Sequence, residues 1–287
     1  MTIAEEPILP PELERKVFET TAFIHPGTIP TLLRVAKRVL IWTQPFLYRV
    51  IRTNGNRHMS PALLRAIATK PPKFFHDAVR HIAFVSYSPS ISVDEVKQIL
   101  GVCTGILSFG SYSLFLDPSV ASFLAETRVQ RLALNLGSLF PPGSANLGHP
   151  LFRYVTHLDI FDDSSLVKLL PDIPLLPALT HLSLDSDTPR ESALRVLQEY
   201  SQLELLFVHW LDEGSYKSSQ IPHVYDVRFL VGLCDEYWND WELGARGGED
   251  FWARGDDFVR QKQKGEIEAT RYWTELEPVQ SFSAYLI

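Results

Sequence analysis

The chain contains 287 residues, of which 45% are apolar and 21% charged, a composition typical of a globular protein with a sizeable core. The formal net charge of −7 argues against a general nucleic-acid-binding or membrane-surface role, because both kinds of partner favour basic patches. Two cysteines, Cys103 and Cys234, predict no disulfide framework, and no apolar run approaches the ~18 residues of a membrane span.

The first segment, residues 1–52, is predicted to be a small helical unit. Its start, MTIAEEPILPP, is acidic and has no apolar run, so we predict no signal peptide and a cytoplasmic and/or nuclear protein. Pro10 and Pro11 suit the start of a helix in which Leu13, Val17 and Phe18 share one face. A unit this short normally needs a partner or a neighbouring domain to be stable.

Five short stretches of this segment follow one another in a recognisable order: Leu9-Pro10, Glu12-Leu13, Val17-Phe18, Val35-Ala36-Lys37-Arg38 and Pro45-Phe46-Leu47-Tyr48-Arg49. They resemble an F-box, a family that reads roughly LPxELxxxIF, then V-C-K/R-x-W, then P-x-L-W-R. The family's cysteine and its two tryptophans are replaced by Ala36, Val39 and Tyr48. The chain as a whole resembles the F-box-like proteins of mushroom-forming fungi.

The resemblance implies that the segment docks on the Skp-type adaptor of cullin–RING ubiquitin ligases through an apolar helical surface. Carried over residue by residue, the adaptor-binding candidates are Leu9, Pro10, Leu13, Val17, Phe18, Leu32 and Val35. The alternative interpretation is that the same side chains form the core of the helical unit.

A linker at residues 53–78 is predicted to cap a run of repeats, because the pattern apolar-x-x-apolar-x-apolar recurs through residues 79–234. We call the middle apolar residue of each copy its anchor. The anchors are Ile82, Leu107, Leu132, Leu158, Leu182 and Leu206, with Leu230 as a seventh. The steps of 24–26 residues are typical of a solenoid. The segments between copies, which return the chain to the start of the next strand and which we call returns, contain helix starts. Examples are the capping box of Ser92 and Glu95, and Asp117 before Pro118.

A strand and a return in every copy resemble a degenerate leucine-rich repeat. We therefore predict an α/β fold in which the helical unit precedes a solenoid of six to seven repeats with parallel strands. Residues 235–287 are predicted to form a C-terminal cap helix and tail. In that tail Phe251, Trp252 and Phe258 suit one face of a helix that ends near Gly265.

Side chains on either side of each anchor are predicted to point away from the solenoid core, onto a surface that we call the concave face. Its candidate substrate-binding residues are His81, Arg131, Asn135, His157, Asp159, Phe161, His181, Asp185, Phe207 and His209. The same alternation of inward and outward side chains places Ile106 on the concave face, and it predicts that Phe161, Leu205 and Phe207 are exposed. Aromatic groups among polar ones suit a protein-recognition surface.

Neighbouring parallel strands lie about 4.8 Å apart, so His157 and His181 should be side by side, with Asp159 and Asp185 next to them. Two imidazoles and a carboxylate can bind a metal, but a flat sheet face spreads its ligands. We therefore expect no metal and no cofactor, and interpret the histidines as members of a repeat column.

Three functions compete. The first is a non-enzymatic substrate-recognition subunit of a cullin–RING ubiquitin ligase, with an Skp-type adaptor and a protein substrate as partners and with no nucleic acid or membrane. The second is a free-standing interaction solenoid that has lost adaptor binding, which the tryptophan replacements favour. The third is a metal-dependent enzyme that uses His157, Asp159 and His181. Of the three, we predict the first.

Overall fold

In the part of the chain that the structure describes, nine short strands form one parallel sheet whose order follows the chain. The computed structural model describes residues 9–53, 59–85, 91–112, 117–140, 146–161, 170–186, 188–210, 224–234 and 236–274. The strands are β1 (Val50–Thr53), β2 (His81–Phe84), β3 (Ser108–Ser111), β4 (Arg131–Leu134), β5 (His157–Ile160), β6 (His181–Asp185), β7 (Leu205–Trp210), β8 (Phe229–Leu233) and β9 (Trp273–Thr274). Since each strand pairs with its neighbours in sequence, the predicted α/β fold with parallel strands is confirmed.

The helices fall into an N-terminal group, a set of returns between strands and a C-terminal pair. The α-helices are α1 (Pro11–Ile24), α2 (Ile29–Leu32), α3 (Lys37–Thr43), α4 (Met59–Thr69), α5 (Pro72–Ala78), α6 (Val93–Val102), α7 (Pro118–Ala125), α8 (Arg190–Glu199), α9 (Tyr237–Ala245) and α10 (Phe251–Lys264). Short 3₁₀ segments occupy Pro26–Thr28, Gln44–Tyr48, Leu136–Ser138, Pro150–Tyr154 and Leu170–Leu175. No helix within the described ranges is both long and apolar enough to cross a bilayer.

The apolar anchors form one row across the sheet, directed at the helical returns. Five of the predicted anchors are at most 1% exposed and lie in register: Ile82, Leu132, Leu158, Leu182 and Leu206. Together with the helices they form the larger hydrophobic core, in which their side chains are removed from water. The predicted inward direction of these five positions is confirmed.

At two further positions the predicted anchor is wrong. In β3 the residue in register with Ile82 is Phe109, not Leu107, and in β8 the residue in register with Leu206 is Phe229, not Leu230. Where apolar residues are two apart or form an unbroken run, the repeat pattern can be aligned on more than one of them. The pattern alone therefore does not identify which residue is the anchor. Ile106 consequently belongs to the larger core and not to the concave face.

The helix starts of two returns follow the expected capping chemistry. Ser92 and Glu95 form a reciprocal capping box at the start of α6, with the Ser92 backbone N–H donating to Glu95 Oε2 over 2.7 Å. The Asp117 carboxylate accepts the Ser119 N–H over 2.8 Å at the start of α7. These helices bury Val96, Ile99, Leu124 and their neighbours against the anchors.

The C-terminal helices lie across the concave face. Helix α9 approaches β1, where Arg52 Nη1 donates to the Trp238 carbonyl over 2.7 Å, and α10 approaches β7 and β8. The tail thus contacts the last strands, where we predicted a cap, but its helices also cover the face of the sheet as far as β1. Strand β9 continues the sheet beyond β8, while α9 and α10 form a second apolar core on the sheet's other side.

Candidate functional site

Exposed apolar side chains are concentrated on the N-terminal helical unit. Of the twelve large apolar side chains that are exposed in the described residues, nine lie between residues 9 and 47: Leu9, Leu13, Val17, Phe23, Ile24, Val35, Leu40, Ile41 and Leu47. Leu9, Leu13 and Val17 are 45–54% exposed, and together we call them the stripe on α1. Leu13 and Val17 lie one turn apart on one face of α1, and Leu9 lies two residues before the helix. Exposed apolar groups concentrated on a small unit are typical of an interaction surface.

The core of this unit is formed by other residues. Ala22, Ile29 and Val39 are at most 2% exposed, whereas none of the seven adaptor-binding candidates is buried. Five of the seven are exposed and two are half-buried: Leu9, Pro10, Leu13, Val17 and Val35 are exposed, and Phe18 and Leu32 are half-buried. The alternative that these side chains form the core of the unit is therefore wrong for the five exposed ones.

Two positions that depart from the F-box pattern face inward. Val39, in place of the first tryptophan, is completely buried, and Tyr48, in place of the second, packs edge-to-face on Phe74 and Phe75 with ring centroids 5.3 and 5.6 Å away. Trp42 lies next to Phe18, with ring centroids 6.5 Å apart. The replacements at Val39 and Tyr48 consequently alter packing inside the protein, and the exposed stripe on α1 is independent of them.

On the concave face, the structure aligns the polar residues in straight rows across the sheet. One row runs His81, Ser108, Arg131, His157 and His181, and the next contains Asp159 beside Ser183. The prediction that His157 and His181 lie side by side is confirmed. Asp185 pairs with His209 and not with Asp159, because Asp159 and Asp185 occupy different rows of the sheet.

Helix α9 covers the first part of this face with aromatic side chains. The Tyr237 hydroxyl donates to Asp159 Oδ2 over 2.6 Å, and its ring meets Phe161 edge-on at 5.1 Å. Trp238 lies over Gly110, where a Cβ would approach its ring to 2.7 Å. Glycine at position 110 therefore permits the close approach of the helix to the sheet.

Helix α10 covers the second part with both apolar and charged contacts. Arg131 Nη1 donates to Asp250 Oδ2 over 2.6 Å, and the same carboxyl group caps the helix by accepting the Ala253 N–H. His181 Nε2 donates to Asp256 Oδ1 over 2.8 Å. Gly255 lies against Leu205, so close that a Cβ would come within 2.6 Å of it.

The ten substrate-binding candidates are consequently under the C-terminal helices or at their margins. Asp159, His181, Phe207 and His209 are buried, and the other six are half-buried: His81, Arg131, Asn135, His157, Phe161 and Asp185. The expectation that Phe161, Leu205 and Phe207 are exposed is wrong, since Leu205 and Phe207 have no exposed area and Phe161 is half-buried. Binding of a substrate to this face stays a prediction, and access to the four buried candidates requires α9 and α10 to move.

A buried polar network connects the sheet to α9. Ser183 Oγ and His209 Nδ1 are 3.0 Å apart, and Asp159 lies beside them with Tyr237 as its hydrogen-bond donor. Burial raises the pKa of the Asp159 carboxyl group against the opposing influence of His209, Tyr237 and Ser183. Burial and the Asp159 carboxyl group also raise the pKa of Tyr237. With Asp159, Ser183 and His209 at most 1% exposed, this network has no access for a substrate.

Two histidines of the polar row are held neutral. Burial, assisted by His181 and Arg131, lowers the pKa of His157 to about 2. Burial, assisted by Arg49, Arg131, Arg80 and Arg246, lowers the pKa of His81 to about 3. Both imidazoles are thus uncharged near neutral pH.

The described residues contain no set of side chains that converges as a metal site would require. Among the described residues, no group of three His, Cys, Asp or Glu side chains is arranged to hold a metal ion. His181 is engaged by Thr180 and Asp256, and Asp159 by Tyr237. The long-range partners of the concave-face residues come from the C-terminal helices. The sequence patterns did not identify these partners, Tyr237, Asp250 and Asp256, as contacts of this face. The aromatic and acidic content of residues 237–258 was the available signal.

A comparison with protein-family models finds no match to this chain, and a comparison with curated proteins finds no significant match either.

Proposed function

We propose that the chain is a non-enzymatic substrate-recognition subunit of a cullin–RING ubiquitin ligase that docks on an Skp-type adaptor through its N-terminal helical unit. The observation that carries the proposal is the exposed apolar stripe of Leu9, Leu13 and Val17, because the residues that match the F-box pattern are available to a partner. The F-box resemblance and the leucine-rich-repeat-like architecture are parts of this proposal. Burial of such side chains on a partner contributes about 1.5–3 kcal/mol each.

The covered concave face changes which surface a protein substrate would meet first. With α9 and α10 in place, the strand residues are screened by Tyr237, Trp252 and their neighbours. In this proposal the substrate therefore contacts the outward side of the two helices or the margins of the face, unless it displaces them. The charged outer positions of α10, such as Asp257 and Arg260, are exposed or half-buried.

The experiment is a binding measurement between the purified full chain and a purified Skp-type adaptor by isothermal titration calorimetry. We expect Leu13→Asp to weaken binding by about tenfold or more, which corresponds to ~1.4 kcal/mol. Leu175→Asp is the matched control, because Leu175 is 59% exposed but lies among the repeats. Both positions are exposed, so neither substitution should unfold the protein.

Absence of adaptor binding by the wild-type chain would overturn the proposal and favour the free-standing interaction solenoid. Equal binding by wild type and Leu13→Asp would show that the stripe on α1 is not the docking surface. Affinity purification of the full chain with mass spectrometry would then identify which proteins it binds.

A further inference from the structure

Arg49 carries a half-buried positive charge that no carboxylate of the described residues pairs with. It follows the 3₁₀ segment Gln44–Tyr48 and precedes β1, where the N-terminal unit meets the sheet. Its Nε is buried and has no hydrogen-bond partner among the described residues. The guanidinium carbon lies 5.3 Å from the ring centroid of Phe23, so an aromatic face is its main neighbour.

Two neighbouring arginines are paired with carboxylates, and a third donates to a neutral carbonyl group. Arg131 pairs with Asp250 and Arg246 with Glu242, at 2.6 and 2.7 Å, while Arg80 Nη1 donates to the Gly105 carbonyl over 2.7 Å. For Arg49, burial and the proximity of Arg80 lower the pKa of the guanidinium, and no carboxylate within the described ranges opposes them. A guanidinium that is partly removed from water and lies beside another cation is costly unless an anion joins it.

His81, whose backbone adjoins that of Arg49, presents a second unsatisfied group. The backbone N–H groups of Arg80 and His81 both donate to the Arg49 carbonyl over 3.0 Å, so the two residues are held next to Arg49. His81 Nδ1 is buried and has no partner in the described part of the chain. The depressed pKa of His81 keeps its ring neutral, and a neutral imidazole can offer one N–H from Nδ1.

We propose that this junction binds a phosphate-type oxyanion, with the Arg49 guanidinium as the charged donor and His81 Nδ1–H as the neutral one. A planar guanidinium matches the oxygen spacing of a phosphate group, and Arg80 adds positive potential. The carboxylates of Glu242 and Asp250 are each held by an arginine other than Arg49. The site is independent of adaptor docking, because it does not use the stripe on α1.

The test is a titration of the full chain with inorganic phosphate at constant ionic strength, followed through the imidazole signals of His81 by NMR. We expect a saturable change of the His81 signals, a rise of the His81 pKa when the anion is bound, and a rise in Tm that saturates with phosphate. Arg49→Met keeps the length of the side chain and its contact with Phe23, and we expect it to weaken phosphate binding by about tenfold or more. Arg34→Met, at an exposed arginine of the same helical unit, is the matched control.

A parallel titration with phosphoserine distinguishes the source of the anion. Tighter binding of phosphoserine would identify a phosphorylated side chain as the ligand, and tighter binding of inorganic phosphate would identify the free anion. If neither changes the His81 signals of the wild-type chain, the proposal is overturned, whatever the variants do. Equal phosphate affinity in Arg49→Met and Arg34→Met overturns it as well, and His81→Asn replaces Arg49→Met if that variant does not fold.

Discussion

The imidazole rings of His157 and His181 stack face to face on neighbouring strands, with their centroids 4.1 Å apart and their planes within 11°. Trp252 of α10 meets both rings edge-on, at 5.3 and 5.8 Å. Asp256 of the same helix accepts the hydrogen bond from His181. Two histidines that resemble a metal site in the sequence thus form the platform on which a C-terminal helix rests.

The neutral state of His157 makes this platform sensitive to acid. Its pKa is lowered from 6.5 to about 2 in the folded protein, so its contribution to stability is present above pH 6.5 and is lost as the pH falls towards 2. We expect the difference in free energy of unfolding between wild type and His157→Asn to shrink by about 1.4 kcal/mol per pH unit below 6.5. Urea denaturation between pH 7.5 and 5 measures it. A difference that stays constant over this range would contradict the prediction.

Asp250 performs two functions, and its removal should cost more than the loss of an ordinary cap. It caps α10 and accepts a hydrogen bond from Arg131, whose side chain is 41% exposed. We expect Asp250→Ala to lower the free energy of unfolding by about 2–3 kcal/mol. Asp117→Ala removes the cap of α7 and a surface ion pair with Lys97, and it should cost only about 1 kcal/mol because such surface pairs contribute little. Equal losses in chemical denaturation would show that the contact with Arg131 contributes nothing.

Gly255 and Gly101 are helical glycines that should respond in opposite directions to replacement by alanine. At Gly101 the nearest atom to an added Cβ is 3.6 Å away, so Gly101→Ala should stabilise the protein by about 0.5–1 kcal/mol. At Gly255 the Cβ would lie 2.6 Å from a methyl group of the completely buried Leu205. We expect Gly255→Ala to lose about 1 kcal/mol or more despite its better helix propensity. Thermal unfolding compares the two, and stabilisation by Gly255→Ala would mean that α10 does not pack closely on the sheet.

The hydrogen bond from Tyr237 to Asp159 should be strongly coupled to the neighbouring network. Asp159 Oδ1 has no hydrogen-bond donor among the described residues, with His209 Nδ1 3.7 Å away, so Tyr237→Phe would leave neither carboxyl oxygen with a donor at hydrogen-bond distance. We expect a loss of about 1–3 kcal/mol in the free energy of unfolding. On the background of Asp159→Asn the same substitution should cost less, and the double-mutant cycle gives the coupling energy. Additive effects would show that the two side chains act independently.

How much of this architecture could be predicted is clearest at particular residues. The alternation Ile82-Ala83-Phe84 predicts a strand with one buried face, and its recurrence every 24–26 residues predicts parallel neighbours. Where alternation is weak, as at Phe229-Leu230-Val231, the predicted phase is wrong. A continuous apolar run is compatible with either phase, because both faces of such a strand are buried.

Five of the anchors, the pairing of His157 with His181 and the common face of Leu13 and Val17 follow from the periodicity of the amino-acid sequence alone. Closure of the concave face could not be predicted in this way, because it depends on contacts between distant segments, such as Arg131 with Asp250, which are 119 residues apart. An apolar strand face has the same pattern whether a partner protein or the chain's own helix covers it, and an amphipathic helix does not specify the surface against which it packs. Only the folded structure determines that the C-terminal helices bury this face.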